Sequence, residues 1–304
     1  MSGPFSLTVL ASGSAGNVAA VTCADGWLLI DIGLHANDLR RRLAFSGLDP
    51  ADCKGCLLTH THGDHWRDSS LAWLALRGIP LWLNQGHLET LRGQSRAVHT
   101  LQAANKLRSF ECGTDFSPAG GVAVTPAEIS HDSPPTFGFR FFLKDPEDSR
   151  VPEARLGFFS DLGVWNQLHD HLIEDLHLLA LEFNYHPPLL EASPRPDFLK
   201  RRIAGPRGHL SNAQAGDVVS AIRSTMQNQT LVLLHLSKEC NKQSHALAEA
   251  QMAAASVGTI KKIEVALQDE PIPPLPILPT RHEETAHPDE DCGPLFQTLR
   301  NKAR

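Results

Sequence analysis

The segment Leu57-Leu58-Thr59-His60-Thr61-His62-Gly63-Asp64-His65-Trp66 constrains this chain more than any other stretch, because it sets three histidines and a carboxylate within six residues directly after a short apolar run. His60 and His62 are two positions apart, so on an extended backbone both imidazoles point to one face. Asp64 and His65 then turn away, where they can serve a second ion. Imidazole and carboxylate are ligands for zinc, manganese or iron, and two such ions make a clamp for hydrolytic chemistry.

The 304 residues allow one large domain or two ordinary ones, and a hydrophobic fraction of 41% permits a sizeable core. No apolar run approaches the ~20 residues of a membrane span, and no basic segment followed by a long apolar stretch opens the chain. Cys53-Lys54-Gly55-Cys56 is a C-x-x-C without a second pair, at the start of an expected strand, so Cys56 reads as a small buried hydrophobe. A reduced, cytoplasmic protein is expected. The net charge of −6 argues against non-specific coating of nucleic acid. Seven acids, four Lys/Arg and seven of the 21 prolines fall from Gln268 onward, which leaves 27 acids against 24 bases in residues 1–267. A nearly neutral body can still carry a local basic groove.

Short strands are expected at 6–11, 18–23 and 27–31, then a helix from Asn37 to Phe45 capped by Asn37 and bearing Arg40, Arg41 and Arg42. A buried strand, Cys56 to Thr59, leads into the histidine cluster. Ser69 to Leu76 and Gly86 to Leu91 read as helical, with a strand at 81–83 between them. Strands follow at 122–124, 137–143 and 156–159. Apolar strands at 176–181 and 231–234 then alternate with helices at 212–225 and 243–256. The prolines of 271–276 predict a segment that extends neither sheet nor helix. The expected organisation is therefore one catalytic domain, 1–267, and a Pro-rich acidic tail, 268–304, mostly disordered.

Further chemistry-bearing residues stand at the ends of apolar strands. Asp31 ends Trp27–Ile30, His131 follows Ala127–Ser130, Asp161 ends Gly157–Ser160, and His235 ends Leu231–Leu234. Taken singly, each is as easily a turn residue. Four of them alongside the cluster form a pattern.

In that pattern the chain resembles the metallo-β-lactamase superfamily, whose signature T-H-T-H-G-D-H stands at Thr59–His65 and whose five motifs match Asp31, His60–His65, His131, Asp161 and His235 in order. It is closer still to the YycJ/WalJ-type hydrolases. The strings Leu10–Asn17, His131-Asp132, Ser160–Gly163, Gly208-His209-Leu210-Ser211-Asn212 and Leu234–Ser237 carry that likeness, which spans about residues 5–267. The resemblance implies a four-layer αββα sandwich built from two similar halves, and two divalent metal ions, Zn²⁺ or Mn²⁺ with Fe²⁺ as a further candidate. It implies that His60, His62 and His131 hold one ion and Asp64, His65 and His235 the other, with Asp161 between them. Asp31 would stand behind the ligands and orient a ligand histidine or the loop. A water shared by the ions would serve as nucleophile, steered by Asp64.

Outside the ligand set, Gly208–Asn212 precedes a helix, so its backbone N–H groups can face an anion. Lys200, Arg201, Arg202 and Arg207 lie just upstream, a basic stretch expected to follow neighbouring phosphates. His209 is expected to contact a scissile phosphate or protonate the leaving oxygen, while Arg207, Ser211, Asn212 and the more distant Asn184 are candidate substrate contacts. The Ser12–Asn17 loop lacks the Gly-Lys-Ser/Thr ending of a P-loop and reads as a tight hairpin at the rim of the site. No inserted domain of ~150 residues separates Asp161 from His235.

The resemblance implies an exonuclease working 5′ to 3′ on DNA. A small-molecule hydrolase of the same fold, acting on a phosphodiester, thioester or lactone, is the alternative enzyme. A non-catalytic member that binds nucleic acid or a partner protein would lack at least one ligand, and none is missing.

Overall fold

The computed structural model describes residues 5–145, 153–222, 224 and 229–277. Two sheets organise it, and each begins as an antiparallel meander and continues as a parallel array. In the first, β1 (Ser6–Ala11), β2 (Val18–Cys23) and β3 (Gly26–Ile30) are antiparallel, and β3, β4 (Cys53–Leu57), β5 (Leu81–Leu83) and β6 (Leu107–Ser109) run parallel. Parallel neighbours need crossovers. These are α1 (Ala36–Phe45), α2 (Asp68–Arg77), α3 (Gln85–Arg92) and α4 (Arg96–Ala103).

The second sheet repeats the plan. Its strands β7 (Val122–Glu128), β8 (Phe137–Leu143) and β9 (Ala154–Phe159) are antiparallel, and β9, β10 (Leu178–Glu182), β11 (Gln229–Leu234) and β12 (Ile260–Val265) are parallel. Between β10 and β11 lie α5 (Pro187–Ala192), α6 (Asp197–Ile203) and α7 (Asn212–Ser220), and α8 (Gln243–Val257) joins β11 to β12.

Strand alternation explains the layering. On β3, Leu28 and Ile30 join a core that also holds Phe139 and Phe141 of β8, while Leu29 faces the cluster containing Leu39 of α1 and Leu71 of α2. On β11, Val232 and Leu234 enter the same inter-sheet core, and Leu231 and Leu233 pack with Val219 of α7 and Ala250 of α8. Both faces of each sheet are therefore covered, which is why β11 is buried along its whole length. The result is the four-layer αββα sandwich expected from the resemblance.

Three local expectations need correction. His35, not Asn37, precedes the first turn of α1, and no side chain caps it; Asn37 lies within the helix. Residues 271–276 do extend a sheet, for β13 (Leu275–Pro276) pairs antiparallel with β1. A proline is tolerated there because the strand is at the sheet edge, and the flanking amides of Ile272 and Ile277 donate to Val9 O and Phe5 O. The first part of the tail is thus continuous with the domain, and residues 278–304 lie outside the described residues. The helix expected over 212–225 ends at Ser220. Among the described residues, no helix is long and apolar enough to cross a membrane.

Candidate active site

The chemistry-bearing residues gather at the carboxyl ends of the parallel strands, where loops from both sheets meet. Asp31 follows β3, the histidine cluster follows β4, Asp161 follows β9, Glu182 ends β10 and His235 follows β11. Asp31, Asp161 and His235 all have positive φ, at 59°, 59° and 55°. That left-handed backbone is uncommon outside glycine and costs on the order of 1–3 kcal/mol, so the surrounding contacts must hold it. The tripeptides Asp31-Ile32-Gly33 and Asp161-Leu162-Gly163 occupy matching places in the two halves. A Cβ on Gly33 would overlap the Asp64 carbonyl, and one on Gly163 would overlap the Pro206 carbonyl. Each glycine lets a ligand-bearing or site-lining loop press against its strand end.

Four overlapping groups of donor atoms result, each with its atoms within 4.8 Å of one another: His60, His62 and His131; Asp64, His65 and His235; His60, His65 and Asp161; and Asp161, Glu182, His209 and His235. The first two of these share no residue. Asp161 faces both, with Oδ2 3.2 Å from His65 Nε2, and Oδ1 3.5 Å from His235 Nε2 and 3.9 Å from His131 Nε2. The backs of the rings are tied down. Asp31 Oδ2 accepts from His65 Nδ1 at 2.7 Å, while Asp31 Oδ1 accepts from the Thr59 amide. His131 Nδ1 donates to Gly208 O at 2.9 Å. The His235 amide donates to Ser12 Oγ, and Asn184 Nδ2 donates to His235 O.

Electrostatics separate the two sets. Burial holds His60 well below its ordinary pKa and also lowers His62 and His131, so this trio is neutral, as imidazole ligands must be. Burial would lower His65 and His235 too, but Asp161 and its neighbouring carboxylates overcome it. His65 is raised well above its ordinary value, and His235 rises to about 10. The mirror effect falls on Asp161: burial pushes up, yet His235 and His65 keep it well below the usual carboxylate range.

The donor set fits divalent cations on two observations. His60 Nε2 is buried with no hydrogen-bond partner, an arrangement otherwise costly for a polar atom. Asp31, Asp161 and Glu182 are buried together beside Asp64, a concentration of negative charge that calls for cations.

Glu182 is the residue that sequence reasoning passed over. Its side chain is fully buried, and Oε1 lies 2.7 Å from His209 Nδ1 and 3.1 Å from His235 Nδ1. Oε2 accepts from the Leu162 and Leu210 amides. The available signal was the one used for Asp31: a carboxylate closing an apolar strand. Asn17 was missed as well; its Nδ2 lies 3.2 Å from Asp64 Oδ2 and 3.0 Å from His65 Nε2. Gln268 in turn braces Asn17's loop, accepting from the Ala15 amide and donating to Gly16 O.

A cavity of about 210 Å³ opens over these groups, lined among others by His62, Asp64, Asp161, His209 and His235. His209 reaches it, with its ring stacked 5.2 Å from that of His235. Burial acts to lower its pKa, but Glu182 and then Asp161 hold it above the ordinary imidazole value. The proposed substrate contacts divide. Asn184 lines the cavity from behind His235, and Arg207 leans on the His131 carbonyl. Ser211 and Asn212 are buried elsewhere: Ser211 caps α7 by accepting from the Gln214 amide, and the Asn212 and Asn241 side chains bond each other. Asp132, which had no expected role, forms an ion pair at the cavity wall with Arg202, a member of the basic stretch expected to follow phosphates.

Comparison with known proteins agrees with this geometry. A family profile described as "Beta-lactamase superfamily domain" matches residues 26–236. The chain is 29% identical over 259 residues to Exodeoxyribonuclease WalJ of Streptococcus pneumoniae serotype 2 (strain D39 / NCTC 7466), spanning 84% of this chain and 90% of that one. It is 26% identical over 240 residues to Exodeoxyribonuclease YycJ of Bacillus anthracis, covering 79% and 85% respectively. Among solved structures, the metallo-β-lactamase fold protein YhfI from Bacillus subtilis superposes with a TM-score of 0.61 at 16% identity, over 88% of this chain and 99% of that one. Zn²⁺-bound PqqB from Methylobacterium extorquens gives 0.61 at 15% identity with the same coverages. At such identities the structures speak to the fold alone.

Proposed function

The chain belongs to the β-lactamase superfamily and is a metal-dependent hydrolase, and on that premise we propose that it is a two-metal phosphodiesterase that degrades DNA as an exonuclease. The observation that carries the reading is a cavity opening over two disjoint candidate donor sets, with a carboxylate facing both and a histidine backed by a buried glutamate. The two exodeoxyribonucleases similar over most of their length supply the substrate class.

In this reading His60, His62 and His131 would hold one ion and Asp64, His65 and His235 the other, with Asp161 facing both sets. Divalent ions there would supply Lewis acidity, stabilising charge on the phosphoryl oxygens and lowering the pKa of water. The remaining work falls to the chain. Asp31 keeps His65 in the tautomer that presents Nε2. Asp64, partly open to the cavity, accepts a hydrogen bond from the incoming water and so aims it. His209 gives its Nδ1 proton to a hydrogen bond with Glu182, which leaves Nε2–H as the donor. With its pKa raised, it delivers that proton to the departing oxygen.

The test is metal-reconstituted protein on 5′-phosphorylated single- and double-stranded DNA, beside bis(p-nitrophenyl) phosphate. Release of nucleotides from DNA ends under Mn²⁺ is expected. Turnover of the small ester without DNA degradation would replace the nuclease reading with that of a small-molecule hydrolase.

A further inference from the structure

One wall of the cavity is formed by α6 and the residues just before it. Arg195, Leu199, Arg202 and Ile203 line the cavity. One helical step round, Phe198 is 66% exposed, although phenylalanine is among the residues most often kept inside. Arg201 and Arg202 stand three and four residues after Phe198, so the ring and both guanidiniums share one face. The cations differ in how far they are committed. Arg195 pairs with Glu239, Arg202 with Asp132, and Lys200 donates to the Glu191 carbonyl. Among the described residues, Arg201 has neither an ion pair nor a side-chain hydrogen bond, and it is exposed. A bare aromatic ring beside an unengaged guanidinium, on the helix whose Leu199, Arg202 and Ile203 line the cavity, has the makings of a single-stranded nucleic-acid contact: a π-face for a base and a cation for its phosphate.

We propose that Phe198 and Arg201 form a nucleotide subsite at the rim of the active site, in which Phe198 stacks on an unpaired base adjacent to the scissile phosphate and Arg201 binds the next phosphate along the strand. The inference rests on the nuclease reading and specifies it, since a ring can stack only on a base that has left the duplex. It assigns recognition to a helix that holds no metal ligand. Its tolerance of sequence follows from the chemistry, because every base offers a π-face.

The experiment measures binding of the metal-loaded protein to a hydrolysis-resistant phosphorothioate oligothymidylate of about 12 nucleotides, by fluorescence anisotropy across a salt series. Phe198→Ala should weaken binding by between about fivefold and a hundredfold, with the salt dependence kept. Phe198→Trp should retain binding, and Phe198→Leu, apolar but without a π-face, should not. Arg201→Ala should lower the slope of log K against log salt by about 0.7. Phe45→Ala, at a phenylalanine still more exposed than Phe198 and on α1 in the other helical layer, should match wild type. Wild-type affinity in Phe198→Ala, or equal affinity in the Leu and Trp variants, overturns the subsite even where the wild type degrades DNA. A wild type that neither binds nor degrades any oligonucleotide overturns the nuclease reading itself.

Discussion

Glu182 Oε1 accepts a hydrogen bond from His209 Nδ1 at 2.7 Å, and the carboxylate that does so is fully buried while the histidine reaches the cavity. Buried charge is tolerated only when paired, and here the pairing also fixes which nitrogen of His209 faces substrate. Glu182→Gln keeps the shape and removes the charge. Burial then dominates at His209, and its pKa falls. At saturating metal we expect kcat on a phosphodiester to drop by about 10²–10⁴-fold and the alkaline limb of the pH–rate profile to move to lower pH. An unshifted limb would mean that Glu182 does not control the proton on His209.

Asp31 acts through His65. Its Oδ2 takes the Nδ1 proton at 2.7 Å, and its Oδ1 binds the Thr59 amide, so Asp31→Asn loosens one ligand without emptying the site. Metal affinity, measured by Zn²⁺ competition with a chromophoric chelator, should fall by about 10–100-fold. A change within about twofold would contradict the orienting role.

Metal binding should expel protons. In the metal-free chain the neighbouring carboxylates, Asp161 first, hold His65 well above its usual pKa against burial and raise His235 to about 10, so His235 is protonated at pH 8. It must lose its Nε2 proton to become a ligand. Titration calorimetry of the metal-free protein at pH 8, in buffers of different ionisation enthalpy, should report about one proton or more released. A heat independent of buffer would refute this.

His87 supplies an acid-stability test away from the centre. It is buried, it donates from Nε2 to the Pro135 carbonyl, and burial lowers its pKa to about 4. The unfolded chain takes up a proton as pH falls through ~6.5, which the folded chain refuses until about 4. Stability is therefore complete above pH 6.5 and is lost across that window, by roughly 3 kcal/mol in full. In urea melts of metal-free protein at pH 7.5 and 4.5, His87→Gln should lose about 2–3 kcal/mol less than wild type. Equal losses would show that His87 does not titrate between those limits.

The parts of the site written contiguously, or placed at strand ends, were legible. His60 to His65 announce themselves by spacing, and Asp31, Asp161 and His235 by standing where an apolar strand stops. Glu182 obeyed the same rule, but its strand is followed by Phe183, so the carboxylate sits inside an apolar run rather than after it. Ser211 and Asn212 looked like substrate contacts because they open a helix beside His209. Their true partners, Gln214 and Asn241, are visible only once the chain is folded. The short helices α5 and α6, hemmed by Pro187, Pro188, Pro194 and Pro196, give too few turns for a periodic signal. Pro276 argued against a strand and proved compatible with one at an edge, where no further neighbour needs its missing N–H.

The contact between Gln268 and the Ala15–Gly16 backbone joins residues 253 and 252 positions apart. During synthesis every proposed ligand is present once His235 has been made, when the loop that carries Asn17 has its bonds to Gly33, Asp64 and Arg67 but still lacks those to Gln268. The order of translation thus separates having the proposed ligands from having the last support of that loop. A chain stopped at residue 267 would keep every ligand and forfeit the strap that steadies two of them.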